Sequence, residues 1–523
     1  MRRQKQTSAP QGKTRIETFG IFKLKGDFLT MKKAIKKLMA ALLAVAMLCA
    51  MAVPAFADGS TPAGTTYTIT INNPVGTYKA YQIFSGDLEG KILSNIVWGT
   101  GVTEAGKTDL GSAKERAATL TNEPSVKAFA KEVSKYLGES SGSYSDGKIS
   151  GLAAGYYLIK NDTVGDNETY TSFILAVVKD VTVVPKGDKP TLEKKVKDAN
   201  DTDGTTTNWQ DSADHDIGDD VPFKLTAKIA SNFDDYTTYK FVFHDEQSAG
   251  LTFKPGTVKV TVAGNELKAS DYTVVTDPDD GCTFHVVIND LKKISDAAAN
   301  AEVAVEYKST LNEHAVIGSA GNPNEAYLGY SNNPHNSNDT TTTPKDKVTV
   351  FTFKVVANKI NGDNDKALKG AAFALYKKGQ DSAWKLVGLN NATEADGKYT
   401  IVDPDQTKFD WGGLDDGEYK IEEIITPAGF NSIDPQTFKV TATHEETSAD
   451  PKLTVLSGNM TSGEITFTPN KDDGSLTTDI VNNAGATLPS TGGIGTTIFY
   501  VVGGGLMVAA AVLLITKKRM ENR

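Results

Sequence analysis

The chain has 523 residues, enough for three or four domains with separate cores at roughly 100–200 residues each. Residues 1–57 hold eleven Lys/Arg against two Asp/Glu and residues 492–523 hold four against one, which leaves 40 basic and 62 acidic groups in the body. A body that acidic repels phosphate backbones, which excludes nucleic acid as a partner. Cys49 falls in an N-terminal apolar run, so Cys282 stands alone in the body and no disulfide can form within the chain. The six His lack metal-ligand spacing, so no metal or cofactor is expected.

Residues 1–30 read as an upstream extension. From Met31, Lys32, Lys33, Lys36 and Lys37 form a basic head, Leu38–Val53 an apolar run, and Ala55-Phe56-Ala57 a small-x-small site. That order is a secretory signal peptide cut between Ala57 and Asp58. Translation from Met1 or from Met31 fits equally.

The body has the texture of an all-β protein. Alternating runs such as TYTITI (66–71), TVKVTV (257–262) and AEVAVEY (301–307) are separated by Gly, Asp, Asn and Pro. One amphipathic helix is expected over 124–137, where Phe129, Val133, Tyr136 and Leu137 recur at helical spacing. PKGDKP (185–190) and the polar NNPHNSNDTTTTPKD (332–346) mark two boundaries. They divide the body into β-sandwich modules over 58–187, 188–343 and 344–485, flanked by 1–57 and 486–523. Asp-rich stretches at Asp198–Gly204 and Asn361–Asp365 misplace the Gly of a calcium loop and read as solvated turns.

Strand parity brings charge onto apolar faces. Phe351, Phe353, Val355 and Ala357 share a face with Lys359; Tyr419 and Ile421 share one with Glu423; Ile480 shares one with Asn482. In the middle module Leu192 and Val196 flank Lys194, Asp245 precedes GLTF, and Leu328 and Tyr330 align with Asn332. Unpaired, such groups would each cost several kcal/mol when buried, so both sets ask for a common explanation.

The C-terminal end reads Leu488-Pro489-Ser490-Thr491-Gly492, then the apolar run Ile498–Ile515, then Lys517-Lys518-Arg519. At about 1.5 Å per residue that run nearly crosses a hydrocarbon core. By itself this is a membrane anchor. LPSTG ahead of an apolar helix and a basic stop resembles the LPXTG cell-wall sorting signal of Gram-positive bacteria. The resemblance implies sortase cleavage between Thr491 and Gly492, transfer of Thr491 to an amine, and a secreted protein anchored covalently to peptidoglycan.

The rest of the body resembles backbone pilins with Cna B-type domains. GEYKIEEIITPAGF (417–430) is similar to the E-box of that family, with Ile424 where Thr is common. The resemblance implies a Lys359–Asn482 isopeptide bond with Glu423 as proton shuttle, and a Lys194–Asn332 bond with Asp245 as the acid. Asn483, Lys195 and Asn333 remain alternative partners. Burial would favour the neutral amine and the protonated carboxyl, the forms this chemistry needs. The first module's GLAAGYYLIKN (151–161) has the shape of an E-box without its acid, so no bond is assigned there. DVTVVPK (180–186) resembles the pilin motif, which implies that Lys186 of one subunit is joined to Thr491 of the next. TPK at Thr343–Lys345 has a similar look but no preceding strand.

The expected protein is the major subunit of a sortase-assembled pilus supporting adhesion and colonisation. It is expected to be a substrate of pilin-specific and housekeeping sortases, with identical subunits, accessory pilins, peptidoglycan and a host ligand as its other partners. Minor or tip pilins and solitary wall-anchored matrix-binding adhesins are the alternatives. No Ser-His-Asp spacing, metal cluster or phosphate loop marks a turnover enzyme.

Overall fold

The computed structural model describes residues 64–185, 187–486 and 494–521. Ala57, Asp58, Lys186 and the Leu488–Gly492 motif lie outside the described residues.

The chain is built of β-sheets arranged in three successive pairs. In the first pair, Tyr67–Ile71 lies between Lys148–Leu152 and Val181–Val183, and Gly76–Glu89 lies between Ile92–Trp98 and Gly155–Val164. Three helices cover this region, Glu104–Leu110, Ala113–Thr119 and Glu123–Val133, the last running into a 3-10 turn at Ser134–Tyr136. The periodicity predicts only the third. The two shorter helices are seven residues each, start at Thr103 and Ser112 side-chain caps, and are broken at Gly111. Two turns are too short to give an apolar period, so the sequence reading misses both. Gly106 is required within the first of them, since a Cβ there would stand 2.4 Å from Tyr136 Cβ.

The middle pair buries the largest core. Along Asp220–Lys228, Val221, Phe223, Leu225 and Ala227 alternate inward. That strand sits between Thr191–Val196 and Glu302–Leu311, facing a sheet that contains Asn322–Ser331, Phe241–Gln247 and Phe284–Ile288 in hydrogen-bonded order. In the last pair the strand Phe353–Asn361 runs parallel to Ser475–Asn482, with Lys359 opposite Ile480. The facing sheet carries Gly417–Ile425 between Ala372–Lys378 and Gln436–His444.

The junctions differ from the sequence reading. The polar stretch after Asn332 is structured: Thr340–Thr342 pairs with Ser331–Gly329, and Asn333 Nδ2 and Asn336 Nδ2 both donate to the Asp339 carboxylate. Its amides satisfy one another, so the turn needs no apolar core. His335 from this turn bridges Ser134 and Ser172 of the first region. Asp346–Phe351 pairs with Asn322–Ala326 and with Ser212–Asp214, so it belongs to the middle sheet. Only Thr352 separates it from Phe353–Asn361. Phe351 and Phe353 nonetheless both enter the last core.

The turn at Asp198–Gly204 is solvated at Asp201, Asp203 and Gly204 but held to the neighbouring sheets at its other residues. Asp198 accepts from Asp214 N and faces His444 Nε2 at 3.4 Å; Asn200 donates to Asp416 and Thr202 to Lys378 O. Deeper in this junction, Lys377 Nζ is held between Asp415 and Asp216, the latter at 2.5 Å. Burial opposes its charge, and the two carboxylates overcome that and hold the ammonium above its usual range.

Candidate functional site

In the last region the three predicted groups meet. Lys359 and Asn482 come from the parallel first and last strands, and Glu423 reaches them from the facing sheet. Lys359 and Asn482 are 0% and 1% exposed, and the Glu423 side chain is fully buried. Lys359 Nζ lies 2.6 Å from Asn482 Oδ1, 3.0 Å from Ile480 O and 3.8 Å from Glu423 Oε1. Asn482 Nδ2 donates to both Glu423 oxygens at 2.9 and 3.0 Å, and Glu423 also accepts from Thr426 and Ile433 N. Burial lowers the Lys359 amine to about 8, against the opposing charge of Glu423. Its neutral fraction near pH 7 is therefore about 300-fold that of a lysine at 10.5. An amine whose charge is weakened by burial thus faces an amide whose nitrogen rests on the Glu423 side chain.

Asn483, the sequence alternative, points elsewhere: its main chain accepts from Asn431 N, and its Oδ1 lies where a side chain at Gly362 would stand.

The middle region brings together Lys194 and Asp245 but not Asn332. Lys194 Nζ is 2.5 Å from Asp245 Oδ2 and donates to Tyr307 Oη at 2.9 Å, all three groups being fully or nearly fully buried. Burial lowers the Lys194 amine, opposed by Asp245, and pushes the Tyr307 phenol well above its usual range. Tyr307 donates in turn to Asp245 at 2.6 Å and receives Asn324 Nδ2 at 2.9 Å. Asn324 is 0% exposed, and among the described residues its Oδ1 meets no donor. Asn332 instead donates to Glu168 O and accepts from Tyr170 N, which splices the first region to the middle one. Both asparagines lie on one face of the same run, so parity could not choose between them. What sets Asn324 apart is its bond to Tyr307, which places it beside Lys194 and Asp245. Sequence reasoning also missed Tyr307. Lys195 pairs with Asp211, away from this cluster, and Asn333 with Asp339.

The residues flanking the pilin-motif lysine line a pocket of about 200 Å³ with Val75, Glu168, Thr169 and Lys189. Lys345, the other Pro-Lys lysine, is clasped by Glu246 at 2.6 Å and Glu325 at 3.0 Å, which hold its amine above the usual range. The helix Ile494–Glu521 is apolar and solvent-exposed over Ile498–Glu521, with the length of a membrane span.

Comparisons with known proteins agree with this architecture. Residues 217–334 match the Gram-positive pilin backbone subunit 2, Cna-B-like domain; 353–453 match a prealbumin-like fold domain; and 480–522 match the LPXTG cell wall anchor motif. The trypsin-resistant surface T6 protein of Streptococcus pyogenes is 25% identical over 381 residues, which span 61% of this chain and 66% of that relative. The T6 backbone pilin structure of serotype M6 Streptococcus pyogenes aligns with 80% of this chain and 98% of its own length, at 18% identity and a TM-score of 0.51. The major pilin SpaD of Corynebacterium diphtheriae aligns over 80% and 97% at 18% identity and a TM-score of 0.46. With the pilin backbone domain, the prealbumin-like domain and the anchor motif following one another along one all-β chain, the protein is a cell-wall-anchored surface protein that resembles the backbone pilins of Gram-positive bacteria.

Proposed function

We propose that this chain is the major structural subunit of a sortase-assembled pilus and that it braces itself with two internal isopeptide bonds. The observation that carries the reading is the contact of a buried, neutral-leaning Lys359 amine with the Asn482 amide, itself seated on Glu423. Lys359 Nζ attacks Asn482 Cγ, the Cγ–Nδ2 bond breaks, and Glu423 relays the proton from the amine to the departing nitrogen. One ammonia leaves, and one secondary amide joins the first strand to the last. A half-turn of the amide would set Glu423 against the carbonyl oxygen instead, the arrangement that polarises it.

In the middle region the same reaction joins Lys194 to Asn324, with Asp245 as proton shuttle and Tyr307 holding acid, amine and amide in one network. Each bond is a single self-modification, not turnover. Between subunits, the Lys186 amine takes the Thr491 acyl group from a sortase, giving an open head-to-tail polymer. Lys345 is disfavoured as the acceptor because its two carboxylate partners keep it charged.

The polymer is tested by boiled SDS gels of wall extracts from cells expressing wild type or Lys186→Ala. A covalent ladder that collapses to monomer in the variant supports the assignment. A persisting ladder moves the acceptor elsewhere, and a lone monomer band in sortase-competent wild-type cells overturns polymerisation.

A further inference from the structure

His244, Asp280, Cys282 and His285 converge on the solvent-facing side of the middle sheet, and we infer that they form a zinc(II) site. His244 and His285 are direct register partners on the adjacent strands Phe241–Gln247 and Phe284–Ile288, and their rings lie 4.0 Å apart. Being odd-even neighbours of Phe243, Asp245, Phe284 and Val286, which point into the core, both imidazoles point outward. The loop before Phe284 then folds Asp280 and Cys282 over them.

Four donor atoms meet there within 4.8 Å of one another. Asp280 Oδ2 is 3.0 Å from His244 Nδ1 and 2.9 Å from His285 Nε2, and Cys282 Sγ is 4.0 Å from His244 Nδ1. Ligand bonds of about 2.0–2.3 Å at tetrahedral angles put donor atoms about 3.3–3.7 Å apart, so small rotations about the side-chain bonds close the set around one ion. Two imidazoles, one thiolate and one carboxylate are the borderline donors that zinc prefers, whereas calcium and magnesium take oxygen alone.

The surroundings resemble the outer support of a metal site. Asp280 Oδ1 accepts from Cys282 N, which fixes the carboxylate. Tyr327, the register partner of His244 on the other side, stacks on its ring at 4.3 Å and 9°. Its hydroxyl reaches Asp280 Oδ2 at 3.4 Å and Cys282 Sγ at 3.7 Å. Gly329 leaves room for the ring, since a Cβ there would stand 3.2 Å from His244 Nε2. The thiol is 6% exposed while Asp280 is at the surface, so an ion has a way in. Binding would pin the 277–283 turn to the sheet in a chain that has no disulfide to do so. The sequence reading expects no metal because only His285 lies near Asp280 and Cys282 along the chain; His244 joins them through strand pairing alone.

The test uses the untagged full chain in detergent, reduced and stripped with a chelator, then titrated with cobalt(II) and competed with zinc(II). One cobalt per chain, with tetrahedral d–d bands and a thiolate-to-cobalt charge-transfer band, is expected. Cys282→Ser should erase the charge-transfer band, and His285→Ala should weaken zinc binding at least about 100-fold while leaving the circular dichroism unchanged. Octahedral spectra, sub-stoichiometric loading, or binding that survives both substitutions would overturn the site.

Discussion

Replacing Glu423 by Gln removes the proton relay and keeps the shape of the side chain. Lys359 and Asn482 are 123 positions apart, so the proposed bond between them would close almost the whole last region. Closing a loop of that length removes about 5 kcal/mol worth of unfolded-state entropy in the chain-entropy model. For a cooperative unit of this size, that loss lowers the melting temperature by about 15–20 °C. The first readout is intact mass under denaturing conditions: against the mass calculated from its own sequence, Glu423→Gln should retain one more ammonia than wild type. Tryptic mapping should recover the branched Lys359–Asn482 peptide from wild type only. Calorimetry then measures the drop in melting temperature. A folded wild type that retains both ammonias, or a variant that loses them normally, would refute the reasoning.

Other expectations concern different parts of the chain. Asn324→Ala should abolish the middle ammonia loss, and Asn332→Ala should leave it intact while loosening the first region from the middle, as read by peptide mapping and limited proteolysis. His335 has its imidazole lowered to about 4 by burial, so it is held neutral when folded. The unfolded imidazole binds its proton near 6.5, so this contact contributes fully above that pH and is lost as pH falls from about 6.5 toward 4. Protection factors for hydrogen exchange at residues 167–172 should fall as pH drops through that window, and His335→Gln should flatten the response. Lys377→Met leaves Asp216 and Asp415 facing each other without their cation, which should cost roughly 3 kcal/mol, measured by denaturant unfolding.

The last-region cluster was legible because its three members sit at strand ends with regular alternation, and Phe353, Val355 and Ala357 carry the parity straight to Lys359. The middle cluster was half legible. Lys194 and Asp245 lie on clean alternating strands, but Asn322, Asn324 and Asn332 share one face of one run, and only their tertiary partners separate them: Val316 and Val350, Tyr307, and Glu168 in turn. The short helices escaped because periodicity needs more turns than they have. The junction contacts escaped for a different reason. His335 and Asp198 are polar residues in polar stretches, Lys377 sits near the end of an apolar strand, and their partners lie 160 or more positions away in several cases. Local sequence carries no trace of such pairings.

The passage through Thr352 has a mechanical corollary. This residue is 0% exposed, donates its hydroxyl to Leu414 O, and joins two sheets with no residue to spare on either side. A Gly/Ser linker would behave as an entropic spring whose end-to-end distance grows as the square root of its length, giving slack before tension rises. A one-residue splice gives none. In a fibre of such subunits, compliance at this joint has to come from bending of packed surfaces, and a pull at one end is felt at the other without delay or recoil length.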